Sequence, residues 1–150
     1  MHLLKICTPR RASMCGVVGL IFENHNPQLG EDATNLLKML EYRGYDSTGA
    51  IIQKGDDDIT LLKDVGAPSV VAYDLGIDKL SGEIFCGQVR WATFGVVTQE
   101  NAQPHEVKCK THIYGAHNGN ITNCEQLKRW LTEQGHQVKS DNDGEMLVHT

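Results

Sequence analysis

Several features of membrane, secreted and nucleic-acid-binding proteins are absent from this sequence of 150 residues. No apolar run approaches the length of about 20 residues that a membrane-spanning helix needs. The five cysteines are odd in number and include no C-x-x-C pair, which argues against a disulfide framework. The net charge of −5 is spread along the chain without a basic cluster, so we expect no nucleic-acid and no membrane partner. A small-molecule partner is therefore favoured.

The segment before Cys15, MHLLKICTPRRASM, is a poor secretory signal because it is short and is interrupted by charged residues and a proline. We interpret residues 1–14 as a leader, either an upstream translation start or a propeptide. A cytoplasmic protein is expected on this basis. Apolar residues make up 40 % of the sequence, which is enough to bury the core of one domain.

The predicted elements are mixed, and neighbouring strands follow one another as in hairpins. Strands are predicted at residues 15–22, 48–53, 59–65, 83–91 and 109–117, and helices at 31–44, 68–76 and 122–135 and from Asn142 onward. The first strand is continuously apolar and is expected to be buried. In the third helix, Thr122 and Glu125 have the spacing of a capping box, and Gly135 is placed to end the helix. This order favours an α+β fold of antiparallel sheets covered by helices.

Cys15 stands directly after a start-like Met in MCGVVG. As the first residue of a mature chain it would carry both a thiol and a free α-amine. An α-amine titrates near pH 8, so about a tenth of it is unprotonated at neutral pH and able to accept a proton. Nucleophile and base would then belong to one residue. The alternative from these six residues is a small buried hydrophobe that begins a strand.

Polar residues also stand where other elements begin or end. Arg90 ends the strand GQVR, where its guanidinium is either solvated or able to hold a carboxylate through two hydrogen bonds. Asn118 and Gly119 form either an ordinary turn or an oxyanion hole. Asp143 is either a first-turn carboxylate that suits the helix dipole or a partner for an ammonium group. A nucleophile, an anion holder, a cation holder and an oxyanion site together complement glutamine, a free amino acid with an amide side chain.

Six blocks resemble, in this order, the N-terminal glutaminase domain of class II glutamine amidotransferases: CGVVG, LEYRGYDSTG, VRWATFG, NAQPH, AHNGNITN and SDNDGE. The resemblance covers residues 15–150 and implies an N-terminal-nucleophile αββα sandwich of antiparallel sheets, here an incomplete amidotransferase domain. It implies no cofactor. LEYRGYDSTG and RWAT are most similar to the glutamine–fructose-6-phosphate aminotransferase branch, which implies amino-sugar synthesis. In the amidophosphoribosyltransferase branch, which is the alternative, Tyr usually stands in place of Trp91.

The resemblance also implies a role for each matched residue. Cys15 would attack the side-chain amide carbon of glutamine, release ammonia and leave a thioester that water hydrolyses, with its own α-amine as the base. Asn118 and Gly119 would form the oxyanion hole. The remaining roles are Arg90 for the substrate carboxylate, Asp143 for its ammonium, Trp91 and Thr93 for the pocket lining, and Arg43 and Asp46 as structural neighbours of the site.

Departures from the family pattern lead us to expect weakened substrate binding. Phe94 stands where His is common, and Asn142-Asp143-Gly144-Glu145 replaces Thr-Asp-Thr-Glu, which keeps the acid but loosens its support. In the family, the glutaminase domain continues beyond a length like this and is followed by a synthase half of sugar-isomerase-type domains. This chain would release ammonia with no acceptor of its own, so a catalytically inactive fragment is an alternative.

A metal-binding module is a further alternative. Cys109, His112, His117 and Cys124 are ligand types for zinc. Their spacing is irregular, however, and Cys109, His112 and His117 fall on a predicted strand. We therefore expect no metal.

Overall fold

The computed structural model describes residues 15–92 and 96–150. Within this part of the chain a four-stranded antiparallel sheet has the order β1-β4-β2-β3, and a smaller antiparallel sheet pairs β5 with β6. The strands are β1 Gly16–Asn26, β2 Ser47–Lys54, β3 Asp58–Val65, β4 Gly82–Arg90, β5 His105–Val107 and β6 Ile113–Gly115. The helices are α1 Leu29–Met39, α2 Pro68–Asp74, α3 Cys124–Glu133 and α4 Asp143–Val148.

The main core lies between α1 and one face of the larger sheet. Leu29, Ala33 and Leu37 recur every four residues, which places them on one face of α1, and all three are fully buried. They belong to one cluster with residues of the two central strands, Ala50, Ile52, Phe85 and Val89. Helix α2 adds Ala72 to the same cluster.

Helices α3 and α4 form a second helical layer, which covers the smaller sheet. Cys124 and Leu131 of α3 form a small core with Met146 of α4, and α4 also contacts β5 and β6. The smaller sheet faces the other side of the larger one, since the Tyr114 hydroxyl donates a hydrogen bond to Gln53 Oε1 at 2.6 Å. The layers therefore follow the order helix, sheet, sheet, helix, as the resemblance implied.

Strand β1 differs from the buried strand expected at residues 15–22. It lies at an edge of the larger sheet, and its side chains alternate between a face covered by the core and an uncovered face. Val18, Leu20 and Phe22 pack against the core, whereas Val17 is 41 % and Ile21 82 % exposed. The prediction of burial was wrong because a continuous apolar run indicates a strand without revealing whether both of its faces are covered.

Other predicted element boundaries also differ from those in the structure. Strand β5 lies in a segment where no strand was predicted, and the strand predicted at 109–117 is reduced to Ile113–Gly115. Asn123 rather than Thr122 stands at the N-cap of α3, so the predicted capping box is wrong. Gly135 follows this helix with φ +83°, a left-handed conformation that suits its predicted role in ending it. Among the helices of the described residues, none has the length and apolar character needed to cross a membrane.

Candidate functional site

Three distant segments meet at Cys15, which directly precedes β1. The Trp91 N–H lies 3.4 Å from Cys15 Sγ, and the thiol in turn lies 3.5 Å from the Trp91 carbonyl oxygen. The Asn118 side-chain amide donates a hydrogen bond to the Cys15 carbonyl at 2.7 Å. These partners are 76 and 103 residues away in sequence. The structure thus brings together three residues predicted from the sequence: the nucleophile, one residue of the pocket lining and one of the oxyanion hole.

Residues 43–47, the RGYDS block, support the backbone at the end of β4 and just after it. A Cβ on Gly44 would lie 2.4 Å from the Arg90 carbonyl carbon, so only a glycine allows this close approach. The Asp46 N–H donates to the Arg90 carbonyl at 3.0 Å, and its carboxylate accepts from the Ala92 N–H at 2.8 Å. Asp46 therefore fixes the backbone on both sides of Trp91.

Arg43, the other predicted neighbour of the site, has its guanidinium 5.8 Å from the centre of the Tyr42 ring, in a cation–π contact. Trp91 makes an edge-to-face contact with Tyr45 at 5.0 Å. The RGYDS block thus contributes to the site through Asp46 and the Tyr45 ring more directly than through Arg43.

Arg90 is the last residue of β4 and is only 3 % exposed. Its Nη1 lies 3.4 Å from the Val96 carbonyl oxygen. A guanidinium removed from water at the end of a strand is the kind of group that binds a carboxylate strongly. Thr93 and Phe94, which follow it in sequence, lie outside the described residues.

The loop after β6 carries Asn118 and Gly119, and two glutamines hold it in place. Gln88 Nε2 donates to the His117 carbonyl at 2.9 Å, and Gln103 Oε1 accepts from the His117 N–H at 2.6 Å. Both backbone polar groups of His117 are therefore bound by side chains. This fixes the residue immediately before the proposed oxyanion hole.

Asp143, the first residue of α4, lies under this same loop. It is 7 % exposed, and its Oδ2 accepts from the Ile121 N–H at 2.8 Å and lies 3.9 Å from His117 Nδ1. Asn142 caps the helix, since its Oδ1 accepts from the Gly144 N–H at 2.8 Å. A Cβ on Gly144 would lie 2.8 Å from Gln103 Cδ, so the departure from Thr leaves room for the glutamine.

Sequence reasoning missed the role of Gln103. This residue is 4 % exposed and joins His117 to Asn142, whose Oδ1 accepts from Gln103 Nε2 at 3.1 Å. It thereby connects the Asn118 loop to the start of α4. Its place in the NAQPH block was the available signal, but nothing local in the sequence indicated which partners its amide would bind.

The four residues considered as a metal module have separate partners, which for Cys109 are His136 and His149. His112 Nε2 lies 2.8 Å from Glu106 Oε1, and His117 lies beside Asp143. The Cys124 thiol lies 3.3 Å from Met146 Sδ. This particular set therefore does not form a site in the described chain.

Lys63, His105 and Glu145 form a cluster of titratable groups, of which His105 and Glu145 are buried. Burial lowers the pKa of Lys63 to about 8, and its ammonium donates to the Ala102 carbonyl at 2.6 Å. Burial, reinforced by the Lys63 charge, lowers the pKa of His105 to about 4. Burial raises the pKa of Glu145, but hydrogen bonds from the Lys139 and Ser140 N–H groups outweigh it and hold that pKa below its usual range.

The His105 pKa predicts loss of stability in weak acid. Between pH 6.5 and 4 the unfolded chain protonates His105 whereas the folded chain does not, so the free energy of unfolding should fall as pH falls. From pH 7 to 5 we expect a loss of about 2 kcal/mol from this group. The stabilising effect of Glu145 is lost only at lower pH, once the pH falls below 4.5, the ordinary pKa of a glutamate.

Urea denaturation at pH 7 and pH 5 measures this effect. A His105→Gln variant should lose less stability across this interval than the unaltered protein, even if it is less stable at pH 7. Equal pH dependence in the two proteins would contradict the assignment to His105.

Comparison with known proteins adds to this geometry. Residues 88–150 match the family described as "Glutamine amidotransferase domain". The glutamine–fructose-6-phosphate aminotransferases (isomerizing) of Pyrobaculum aerophilum and Methanococcus maripaludis are each 41 % identical to this chain, over 138 and 136 residues. Each alignment covers 91 % of this chain and 22 % of the relative. The chain thus spans less than a quarter of the length of these relatives.

Two solved structures have a similar fold. One is titled "Structure of the allosteric regulatory enzyme of purine biosynthesis" and matches with a TM-score of 0.74 and 30 % identity. The other is the glutamine phosphoribosylpyrophosphate amidotransferase from B. subtilis complexed with ADP and GMP, with a TM-score of 0.64 and 29 % identity. Each match covers 89 % of this chain and 28 % of the solved one. These likenesses confirm the predicted α+β fold of antiparallel sheets.

Proposed function

Since the chain belongs to the glutamine amidotransferase domain family, we propose that it hydrolyses the side-chain amide of glutamine through a thioester on Cys15. The observation that supports this most strongly is the meeting of Cys15, Trp91 and Asn118, which come from three distant segments. The Cys15 sulfur bonds to the amide carbon, and the carbon–nitrogen bond breaks to release ammonia. Water then cleaves the thioester to give glutamate and the free thiol.

The proton transfers are assigned to the α-amine of Cys15. In its neutral form it accepts the thiol proton, and as an ammonium it returns that proton to the leaving nitrogen. An amide nitrogen cannot do this because its lone pair is delocalised into the carbonyl group. The mechanism therefore requires that residues 1–14, the proposed leader, be absent from the active form.

The negative oxygen of the intermediate is assigned to Asn118 and Gly119. An amide NH₂ carries two donor hydrogens. One of them accounts for the 2.7 Å contact with the Cys15 carbonyl, and the second is proposed to donate to the oxyanion together with the Gly119 N–H. Asn118 would thus position the nucleophilic residue and stabilise the charge that its attack creates.

The two charged ends of glutamine are assigned to the two buried charged side chains of the site. Arg90 is proposed to hold the α-carboxylate and Asp143 the α-ammonium, with Trp91 and Thr93 lining the pocket between them. Arg90 and Asp143 are 3 % and 7 % exposed, so each would bind its partner with little competition from water. Asp46 is proposed as a positioning residue through its bonds on either side of Trp91, with Arg43 beside it.

Replacing Arg90 with Ala should raise KM for glutamine by about tenfold or more. A hydrogen-bonded charged partner contributes about 1.5–3 kcal/mol, and the substrate carboxylate would lose it. KM is measured from glutamate formation on protein whose fold is checked by circular dichroism, with Cys15 as its first residue. Arg90→Lys, which keeps the charge but loses the bidentate geometry, should give a smaller increase.

Arg129→Ala is a matched control, because Arg129 is exposed on α3. Its KM should stay at the wild-type value. L-asparagine, whose side chain is one methylene shorter, should be a poor substrate for all three variants. An unchanged KM in folded Arg90→Ala protein would remove Arg90 from the substrate site.

We further propose that the ammonia serves amino-sugar synthesis in a sugar-isomerase-type synthase part, within a cytoplasmic enzyme. The names of the curated relatives support the amino-sugar acceptor, at 41 % identity for two of them, against 29–30 % for the two solved structures. The test is product formation by protein isolated from its native source, supplied with glutamine and either fructose 6-phosphate or phosphoribosyl pyrophosphate. Consumption of the second acceptor alone would favour the amidophosphoribosyltransferase alternative.

A further inference from the structure

Three potential metal ligands lie close together outside the proposed glutamine site. Cys109 Sγ lies 3.3 Å from His136 Nδ1 and 3.5 Å from His149 Nδ1, and the two imidazole nitrogens are 3.0 Å apart. The residues come from the loop between β5 and β6, the end of α3 and the end of α4. None of them belongs to the segments that surround Cys15.

The spacing of these three atoms is close to that of a zinc site. Zinc bonds of about 2.3 Å to sulfur and about 2.0–2.1 Å to nitrogen, arranged tetrahedrally, separate the ligand atoms by about 3.3–3.6 Å. The observed separations of 3.0–3.5 Å lie within a few tenths of an ångström of this range. Cysteine thiolate and histidine nitrogen are also the donors by which zinc is most often held in proteins.

Glu145 gives one of the histidines the orientation of a metal ligand. Its Oε1 lies 3.6 Å from His149 Nε2, and both side chains are almost fully buried. A proton on Nε2 that faces this carboxylate leaves the Nδ1 lone pair directed toward Cys109 and His136. A carboxylate behind a metal-bound imidazole is a common outer-sphere arrangement.

One side of the cluster is accessible to solvent, so an ion can enter and leave. The His149 side chain is 1 % exposed, whereas Cys109 and His136 are only half-buried. Cys109 also borders a surface pocket that is lined by Glu106, Lys108 and Lys139. Solvent can therefore reach the cluster from one side. A Cys109 thiolate and an ionised Glu145 would together balance the two positive charges of a divalent cation.

We propose that Cys109, His136 and His149 bind one zinc ion, with a water molecule at the fourth position. The ion fastens the β5–β6 loop to the C-terminal ends of α3 and α4. It acts as a structural clamp on the layer that carries Asp143 and takes no part in glutamine cleavage. Zinc binding forms three coordinate bonds as the Cys109 thiol releases its proton to solvent, and no oxidation is involved.

Zinc content of the full chain tests the proposal. Protein prepared without a histidine tag is exposed to excess zinc, dialysed into metal-free buffer and analysed by inductively coupled plasma mass spectrometry. We expect one zinc ion per chain. Cobalt(II) in place of zinc should show the charge-transfer absorption of a thiolate ligand. Cys109→Ser and His136→Ala should each weaken zinc affinity by more than about 100-fold, beyond the effect of losing an outer-sphere partner.

Three controls make the result specific. His112→Ala removes an exposed histidine from the same hairpin and should leave zinc affinity unchanged. Cys15→Ala should abolish glutamine cleavage but retain the zinc, which separates this proposal from the one on activity. Zinc should raise the melting temperature of the unaltered chain but not that of His136→Ala.

The opposite results would overturn the proposal. Zinc below a tenth of an ion per chain, taken here as background, would show that the three side chains only hydrogen-bond to one another. Equal zinc content in His112→Ala and His136→Ala would place the metal elsewhere. Because His136 is half-buried in an otherwise exposed stretch of loop after α3, its truncation is expected to leave the fold intact, which circular dichroism verifies.

Discussion

Glutamine cleavage should fall to the uncatalysed rate in Cys15→Ala protein and should occur in the unaltered protein only when the α-amine of Cys15 is free. The first expectation follows because no thioester can form without the thiol. The second follows because the proposed base is this amine, and a peptide bond to Met14 would remove its basicity. Enzymes lose about 10⁶-fold or more in rate when the catalytic groups are removed altogether, so the effect should be unmistakable.

The measurement compares two versions of the chain, one beginning at Met1 and one at Met14. Removal of Met14 before the small residue Cys15 should expose the amine in the second version, and intact mass shows whether it has. Sequencing of the natural protein should give Cys15 as its first residue. Activity should fall as the pH drops below about 8, because the amine becomes protonated.

Cys86 provides a matched thiol control. It lies in the middle of β4, and burial raises the pKa of its thiol, so it is a poor nucleophile. Cys86→Ala should retain activity. Full activity from a chain that still carries residues 1–14 would contradict the N-terminal mechanism.

Asn118→Asp should lower kcat by about 10²–10³-fold while KM changes little. The substitution keeps a residue type that suits a turn, but it replaces two N–H donors with a negative charge facing the developing oxyanion. It also places a carboxylate 2.7 Å from the Cys15 carbonyl oxygen, where the amide now donates a hydrogen bond. Stopped assays of glutamate formation, normalised to folded protein, give kcat and KM separately.

Asn123→Asp is the control for this change, because Asn123 is also an asparagine of the same region, at the N-cap of α3. An Asp is as good as an Asn at an N-cap, so both stability and kcat should stay close to the wild-type values. If Asn118→Asp protein loses thermal stability but keeps its activity per folded molecule, Asn118 is a turn residue and not an oxyanion donor.

Much of the fold was predictable because local pattern and tertiary structure agree in it. The spacing of Leu29, Ala33 and Leu37 indicates one buried helix face, and the packing of α1 uses that face. The hairpin of β2 and β3 follows from two apolar segments joined by a turn of Gly and Asp residues. Strand β5 was missed because its three residues are too few to show a periodicity.

The candidate site was also predictable only in part: the sequence indicated several of its residues but not their contacts. Cys15, Arg90, Asn118 and Asp143 became candidates because each is a chemically suitable residue at the end of an element, and the family resemblance gave each its predicted role. Their mutual distances depend on the pairing of β1 with β4 and on the loop after β6, which no local pattern encodes. Gln103 was missed for this reason, since its partners lie 14 and 39 residues away. His136 and His149 likewise meet Cys109 only because two helices end at the same place.

The edge position of β1 affects how readily the segment that carries Cys15 opens locally. Within the described chain β1 is held to the sheet by β4 alone, through a ladder that begins at Gly16, directly after Cys15. Opening of this one ladder separates the thiol from Trp91 and Asn118, while the sheet formed by β2, β3 and β4 and the helices on it remains intact. The free energy of such a local opening is smaller than that of global unfolding. We therefore expect amide hydrogen exchange to be faster in β1 than in the central strands β2 and β4, because β1 pairs on one side only.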